Sequence, residues 1–110
     1  MRFYGYVKDG DLLGVIGKEK VKDTTLLRHA YVAQAWQRKG IGSNLLAFVE
    51  RSVDTDLLLV GTWRDARWAI DFYRKHGFMV MENGEELLRK YWDIPERQIK
   101  TSCVLGKRMR

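Results

Sequence analysis

The chain has 110 residues, 45% of them hydrophobic, with a formal net charge of +6 and a sequence pI near 9.6. That length fits a single domain over residues 1–110 and leaves no room for two. The apolar fraction excludes a disordered chain, which carries fewer apolar residues and more charge of one sign.

The positive balance suits a polyanionic partner: nucleic acid, an acidic membrane surface or a phosphorylated cofactor. The cations are spread along the chain rather than gathered in a tail, which speaks against a dedicated nucleic-acid arm. The single cysteine, Cys103, cannot make an internal disulfide or supply the usual structural zinc site. No metal is therefore expected, and a reducing cytoplasm is the natural setting. No apolar run approaches a membrane span, and the N-terminal residues lack the core of a signal peptide. A soluble cytoplasmic protein is the expectation.

In chain order, Phe3 to Val7 reads as a strand, with Phe3, Gly5 and Val7 on one face and Tyr4 and Tyr6 on the other. Asp9-Gly10 is a turn signal, and Leu12 to Lys20 is the hairpin partner. Gly14 and Gly17 within it point to a bulge or a close backbone approach. Asp23-Thr24-Thr25 reads as a second turn, and Leu26 to Val32 as a third strand. Ala33 to Lys39 has no period. Leu45, Leu46, Val49 and Val53 recur at helical spacing after Ile41, predicting a helix from Ile41 to Val53.

Leu57-Leu58-Leu59-Val60 is a continuous apolar run, predicting a strand buried on both faces in a parallel part of the sheet. Asp65 is a plausible cap for a second helix whose stripe is Ala66, Ala69, Ile70 and Tyr73. Gly77 ends that helix. Phe78 to Glu82 reads as a strand, Glu85 to Tyr91 as a helical turn or an irregular excursion, and Gln98 to Lys107 as a closing strand with Ile99, Thr101, Cys103 and Leu105 on one face. The fold class is α/β (α+β): a mixed, mostly antiparallel sheet with two main helices.

Two constellations carry chemistry. In the first, a strand leads into Gln37-Arg38-Lys39-Gly40-Ile41-Gly42-Ser43, which opens a helix. Backbone amides of a tight turn and the positive end of a helix dipole hold a diphosphate. Glycine lets the phosphate approach, Arg38 and Lys39 add charge, and Ser43 adds a hydroxyl. A flexible start to the helix is the plain alternative. The second is Ala69-Ile70-Asp71-Phe72-Tyr73-Arg74-Lys75-His76-Gly77-Phe78. Alone, it reads as a capped amphipathic helix with core aromatics.

Taken together, in this order and spacing, the two resemble the GNAT superfamily of acyl-CoA N-acyltransferases. Gln37, Gly40 and Gly42 match its Q/R-x-x-G-x-G/A loop. Ala69, Ile70, Phe72, Tyr73, Gly77 and Phe78 match its second-helix motif, and the resemblance is clear from Leu12 to Glu82. It implies two central parallel strands that splay apart, here Leu26–Val32 and Leu57–Thr62, with acetyl-CoA in the gap and its pyrophosphate on residues Gln37, Arg38, Lys39, Gly40, Ile41, Gly42 and Ser43. A crevice at the carboxyl ends of parallel strands is also the general expectation.

The resemblance further implies pantetheine pairing near Tyr31, Val32 and Ala33. A backbone N–H near Val32 would polarise the thioester carbonyl, and Tyr73 would serve as the acid for the leaving thiolate. A primary amine, of a small molecule or a peptide or protein, attacks directly without an acyl-enzyme. For the base, His29 is one candidate, because histidine titrates near neutrality; a place on the sheet's other face is the competing reading. His76, Glu19 and water are further options.

Departures from the pattern are Ala66, where the family carries asparagine, and two tryptophans, Trp36 and Trp63, that flank the cleft. They suit stacking on a ligand or ordinary packing equally. Cys103 reads as a small core residue. The family usually has a strand and two helices before the Phe3–Val7 strand, so an open sheet edge or apolar face is expected, covered by a second copy or a heteromeric partner. Competing functional readings are a non-catalytic acyl-CoA-binding or regulatory module and a small basic nucleic-acid binder. The latter lacks helix-turn-helix spacing and any RNP-type motif.

Overall fold

The computed structural model describes residues 1–109, as strands β1 (Arg2–Lys8), β2 (Asp11–Val21), β3 (Thr24–Val32), β4 (Leu57–Trp63), β5 (Met79–Val80) and β6 (Ser102–Arg108), and helices α1 (Ile41–Glu50), α2 (Arg67–Lys75), α3 (Gly84–Tyr91) and α4 (Glu96–Lys100). The strands form one sheet in the order β1-β2-β3-β4-β6-β5. Among the described residues β3 and β4 pair in parallel, and every other pair is antiparallel.

The apolar run of β4 does what its continuity predicts. Leu58 and Val60 face a cluster with Leu45, Leu46 and Val49 of α1 and Tyr73 of α2. Leu59 faces the opposite layer, with Leu87 and Leu88 of α3 and Ile99 of α4. Successive residues of one strand thus feed two cores, because side chains alternate across a sheet. The α1 stripe of Ile41, Leu45, Leu46 and Val49 is buried as its spacing requires.

Several boundaries differ from the sequence reading, each for a local reason. The hairpin turn at Asp9-Gly10 forms with both residues at positive φ, 52° and 84°, the geometry that matches strand twist. The next turn lies at Lys22-Asp23 rather than over the threonines; Lys22 takes φ 58°. Thr24 and Thr25 instead begin β3 and are buried. The Thr25 hydroxyl bonds that of Thr55 at 2.6 Å, and Thr55 donates to the Leu57 carbonyl, so burial costs these groups no lost partner. Helix α1 stops at Glu50, short of Val53, where the Ser52 amide and hydroxyl both turn back onto the Val49 carbonyl.

Helix α2 begins at Arg67 with Ala66 in the capping position and no side-chain cap, so Asp65 does not play the predicted role. The alternation read from Gln98 to Lys107 is broken: Glu96–Lys100 is a short helix, and the strand covers only Ser102–Arg108. Ile99 goes to the α3 layer, whereas Cys103 and Leu105 face α1 and α2. The apparent stripe joined residues of opposite layers. Phe78 to Glu82 contributes only the two-residue β5.

Phe3, Val7 and Leu12 of the first hairpin lie more than half exposed, at 57%, 63% and 59%, while Tyr4 and Tyr6 pack toward the α1 core. Strand β1 forms the outer edge of the sheet. Among the described residues, no helix is long and apolar enough to cross a membrane.

Leu59, with no exposed surface in the middle of the sheet, is the most direct probe of this packing. Leu59→Ala should lower unfolding free energy by about 2–5 kcal/mol, read from the midpoint of a urea titration, without changing the slope.

Candidate active site

The parallel ladder is short. Thr24 to Leu27 pair with Leu57 to Val60, and no pairing continues beyond Leu27 and Val60. Strand β3 runs on to Val32 and β4 to Trp63, so both strands have free inner edges over their last residues. β4 keeps its outer partner throughout, with Trp63 opposite Ser102.

The divergence begins at a bulge. Gly17 of β2 opposes Arg28, while Val15 opposes Tyr31, leaving His29 and Ala30 to face Ile16 alone. His29 takes φ 55°. An extra residue with one partner in left-handed geometry bends its strand and increases its twist. Gly17 belongs to the same device: a methyl there would lie 2.8 Å from the Arg28 carbonyl oxygen. The sequence reading of a bulge or close approach at Gly17 is met, though the extra residue sits in β3.

Beyond the bulge the ladder alternation fixes where Val32 points. The Ala33 amide donates to Leu13 O at 2.8 Å, which makes this a hydrogen-bonded position. The adjoining Gly14–Val32 pair is therefore non-hydrogen-bonded, with its amide and carbonyl turned away from β2. The Val32 carbonyl accordingly accepts Gln37 Nε2 at 3.0 Å. Its amide faces the gap between β3 and β4. Ala33, whose amide is engaged with β2, has none to offer a ligand.

The loop after β3 passes through a single 3₁₀ turn, Gln34–Trp36, before α1. Arg38 and Gly40 both hold positive φ, 64° and 85°. Gly40 is the capping residue and brings no side chain to the helix start. The amides of Ile41, Gly42 and Ser43 thus open α1 without an intrahelical acceptor, and Asn44 is the first to bond back, to Gly40 O at 3.0 Å.

The two glycines do different work. A side chain at Gly40 would project into open space, so glycine is needed there for its backbone angle. A methyl on Gly42 would lie 3.5 Å from the Phe72 ring and 3.9 Å from Val32 Cγ2. Gly42 is where α1, α2 and the end of β3 meet. The two sequence constellations are therefore neighbours in space. Ser43 Oγ and His76 Nε2, 3.0 Å apart, make a second link between them.

Tyr73 is 7% exposed, its ring set edge-on against Phe72 and Phe78 at 5.2 and 5.3 Å. Its hydroxyl makes no hydrogen bond, yet no fully buried side-chain polar atom lacks a partner among the described residues. The small exposed remainder of Tyr73 therefore includes part of the hydroxyl, while the ring is in the core. Burial pushes its pKa up to about 12, so the group is a neutral donor at physiological pH.

The other predicted residues are more scattered. Tyr31 is 62% exposed at the end of β3, and Arg38 and Lys39 are exposed beside the helix start. The His29 ring lies against Phe3 of β1 at 6.0 Å, so it leans over β2 rather than toward β4. Glu19 pairs with Arg28 at 2.7 Å, and Arg28 also donates to Tyr91 O. Trp36 is half-buried with Lys8 over its ring, and Trp63 is exposed at the end of β4. Cys103 is buried in the core, and burial raises its thiol above the usual range, which disfavours a nucleophilic thiolate. Among the described residues no cluster of His, Cys, Asp or Glu is placed to hold a metal.

The sequence reading did not find the Gln37–Val32 or Ser43–His76 contacts. The first spans five residues, a local signal that could have been sought; the second spans 33 and has none.

A family model described as "Acetyltransferase (GNAT) domain" matches residues 1–80. The "UPF0157 protein YqkA" of Bacillus subtilis (strain 168) is 33% identical over 104 residues, covering 90% of this chain and 30% of that protein. The chain thus spans under a third of the length of this curated relative. A solved GNAT-family acetyltransferase from Staphylococcus aureus Mu50 superposes with a TM-score of 0.82 at 18% identity, over 98% of this chain and 68% of that one. A GNAT-family acetyltransferase from Elizabethkingia anophelis, solved with acetyl-CoA bound, gives 0.77 at 23% identity, over 96% and 74%. At these identities the structural likeness establishes the fold.

The raised Tyr73 pKa links stability to pH. Between about pH 10 and pH 12 the unfolded chain loses the phenol proton and the folded chain keeps it, so stability falls with rising pH by up to about 3 kcal/mol. Below pH 10 this contribution is constant. Tyr73→Phe should flatten that alkaline decline in urea titrations run across the window, while leaving the neutral-pH slope unchanged.

Proposed function

The chain belongs to the GNAT acetyltransferase family, and from that premise we propose that it transfers an acetyl group from acetyl-CoA to a primary amine by direct attack. The observation that carries this reading is the unpaired Val32 amide at the opening between β3 and β4, with the Gly42 helix start packed against Val32 and against Phe72, the neighbour of Tyr73.

In this reading the amides of Ile41, Gly42 and Ser43 receive the pyrophosphate, helped by Arg38 and Lys39. The pantetheine arm takes the place of a missing strand partner along the inner edge of β3, near Tyr31 and Val32. The Val32 amide donates to the thioester oxygen as it gains charge; one such donor is worth on the order of 10²–10³ in rate. A neutral amine attacks the carbonyl carbon, the C–S bond breaks, and the nitrogen gives up a proton that ends on the departing sulfur.

Tyr73 serves as a hydrogen-bond donor to that sulfur. A phenol at about 12 lies well above an ordinary thiol near 8.5, so full transfer from Tyr73 is uphill. The donated hydrogen bond steadies the thiolate until the proton lost by nitrogen arrives. No side chain within the described contacts is set to act as base beside Val32, and an amine that arrives neutral, or water, suffices. His29 remains a less favoured candidate because of its lean toward β1.

A thermal shift series with acetyl-CoA, CoA and ATP tests the binding part. Ligand at about a hundred times its Kd should add near 2.7 kcal/mol of stability. Gly40→Glu should abolish the gain by placing a carboxylate at the phosphate position. Gly40→Asn, which tolerates left-handed geometry, should retain most of it. Equal shifts in all three proteins would refute the loop as the phosphate site. Catalysis is read as thiol release from acetyl-CoA with a panel of amines. Tyr73→Phe should lower kcat by roughly 10²–10³, the worth of one hydrogen-bond donor to developing charge, with little change in CoA affinity. CoA binding without thiol release would instead favour the non-catalytic module.

A further inference from the structure

The contact between Ser43 and His76 does more than tie two helices together. Ser43 is in the first turn of α1, among the unpaired amides. His76 caps the other end of α2. Its ring is packed against Phe72 at 4.7 Å, and its carbonyl accepts Lys107 Nζ at 2.9 Å. The imidazole is therefore held in place, with Nε2 aimed at Ser43 Oγ. Among the described residues nothing hydrogen-bonds its Nδ1, so no partner seen at that atom fixes the tautomer.

A serine hydroxyl has one proton. If Nε2 is bare, that proton goes to the histidine, and Ser43 shows only lone pairs to anything at the helix start. If Nε2 carries hydrogen, it donates to Ser43 Oγ, and the serine proton is free to point outward. An anion at the helix start selects the second arrangement. The imidazolium always has it and adds a positive charge nearby.

We propose that His76 is a positioning residue for the phosphate site: by donating to Ser43 it turns the serine hydroxyl into a donor toward the diphosphate, and so makes cofactor affinity rise as pH falls. This inference rests on the phosphate reading of the Gly40–Ser43 turn. Diphosphate and a proton on His76 then reinforce one another by linkage. The charged groups next to His76 on neighbouring elements are Lys107 of β6, which donates to the His76 carbonyl, and Glu50 of α1, paired with Lys107 at 2.7 Å. Arg74 and Lys75 precede it on its own helix.

The experiment measures dissociation constants by calorimetry between about pH 5.5 and about pH 8, the window where histidines change charge. The probe is 3′-dephospho-CoA, whose diphosphate stays ionised throughout; CoA itself carries a phosphate monoester that titrates in the same range. Wild-type protein should bind several-fold tighter at the acid end. Ser43→Ala and His76→Phe should each lose about tenfold at low pH, and the double variant no more than either alone, since they remove one shared hydrogen bond. His76→Gln, whose side-chain amide can donate, should restore affinity without pH dependence. A pH profile unchanged in Ser43→Ala, or full affinity in His76→Phe, overturns the role of His76. If those variants bind like wild type while Gly40→Glu does not bind, only this inference fails. If wild-type protein binds neither CoA nor dephospho-CoA, the phosphate reading fails with it.

Discussion

The molecule is organised around the point where β3 and β4 stop pairing. Up to Leu27 and Val60 the two strands share a ladder and bury Leu26, Leu27, Leu58 and Leu59 almost completely. Past it, β3 is bent by a bulge while β4 stays bound to β6. An interrupted ladder leaves amides and carbonyls without partners, a cost that a closed sheet avoids. Here the cost falls on a short stretch that is open to solvent or to a ligand. The Gln37 side chain offsets part of it by taking the Val32 carbonyl, which leaves the amide as the group still seeking a partner.

The surrounding packing anchors both strands at the base of that opening. On one side of the bulge, Arg28 is anchored three ways: by Glu19, by the Tyr91 carbonyl and by the face of Trp92. On the other, the buried Thr25–Thr55 bond fixes where the parallel ladder begins. The strands are therefore clamped at their base and free at their tips. Helices α1 and α2 then close the far wall through Gly42 against Phe72 and Ser43 against His76. The polar atoms that face the opening sit on well-packed elements rather than on long loops, which is what preorganised chemistry requires.

Sequence patterns carried the local features and failed where a feature depended on distant partners. The α1 stripe, the β4 run and the glycines of the loop were legible because each states a periodicity or a backbone demand within a few residues. The threonines at 24 and 25 were read as a turn because nothing local announces Thr55, which is 30 residues away. The stripe through Ile99 and Cys103 looked like one face of a strand. Two cores on opposite sides of the sheet accept the same residue types, so hydrophobicity alone cannot say which layer a residue serves. His29 had the right chemistry and the right strand, but a backbone angle of 55° inside a bulge sends its ring toward Phe3.

Tyr73 shows how fold and chemistry constrain each other. A tyrosine whose ring fills the core between Phe72 and Phe78 gains packing energy only if its hydroxyl is not stranded. Most buried tyrosines meet that condition with a protein acceptor. This one has no protein acceptor among the described residues and meets it by keeping its oxygen from full burial. The same burial that raises its pKa keeps it protonated at physiological pH, where it can serve as a hydrogen-bond donor. In the proposed reaction the core thus bears on what Tyr73 would do: it would hold the leaving sulfur by a hydrogen bond, and the proton that neutralises that sulfur would come from the attacking nitrogen.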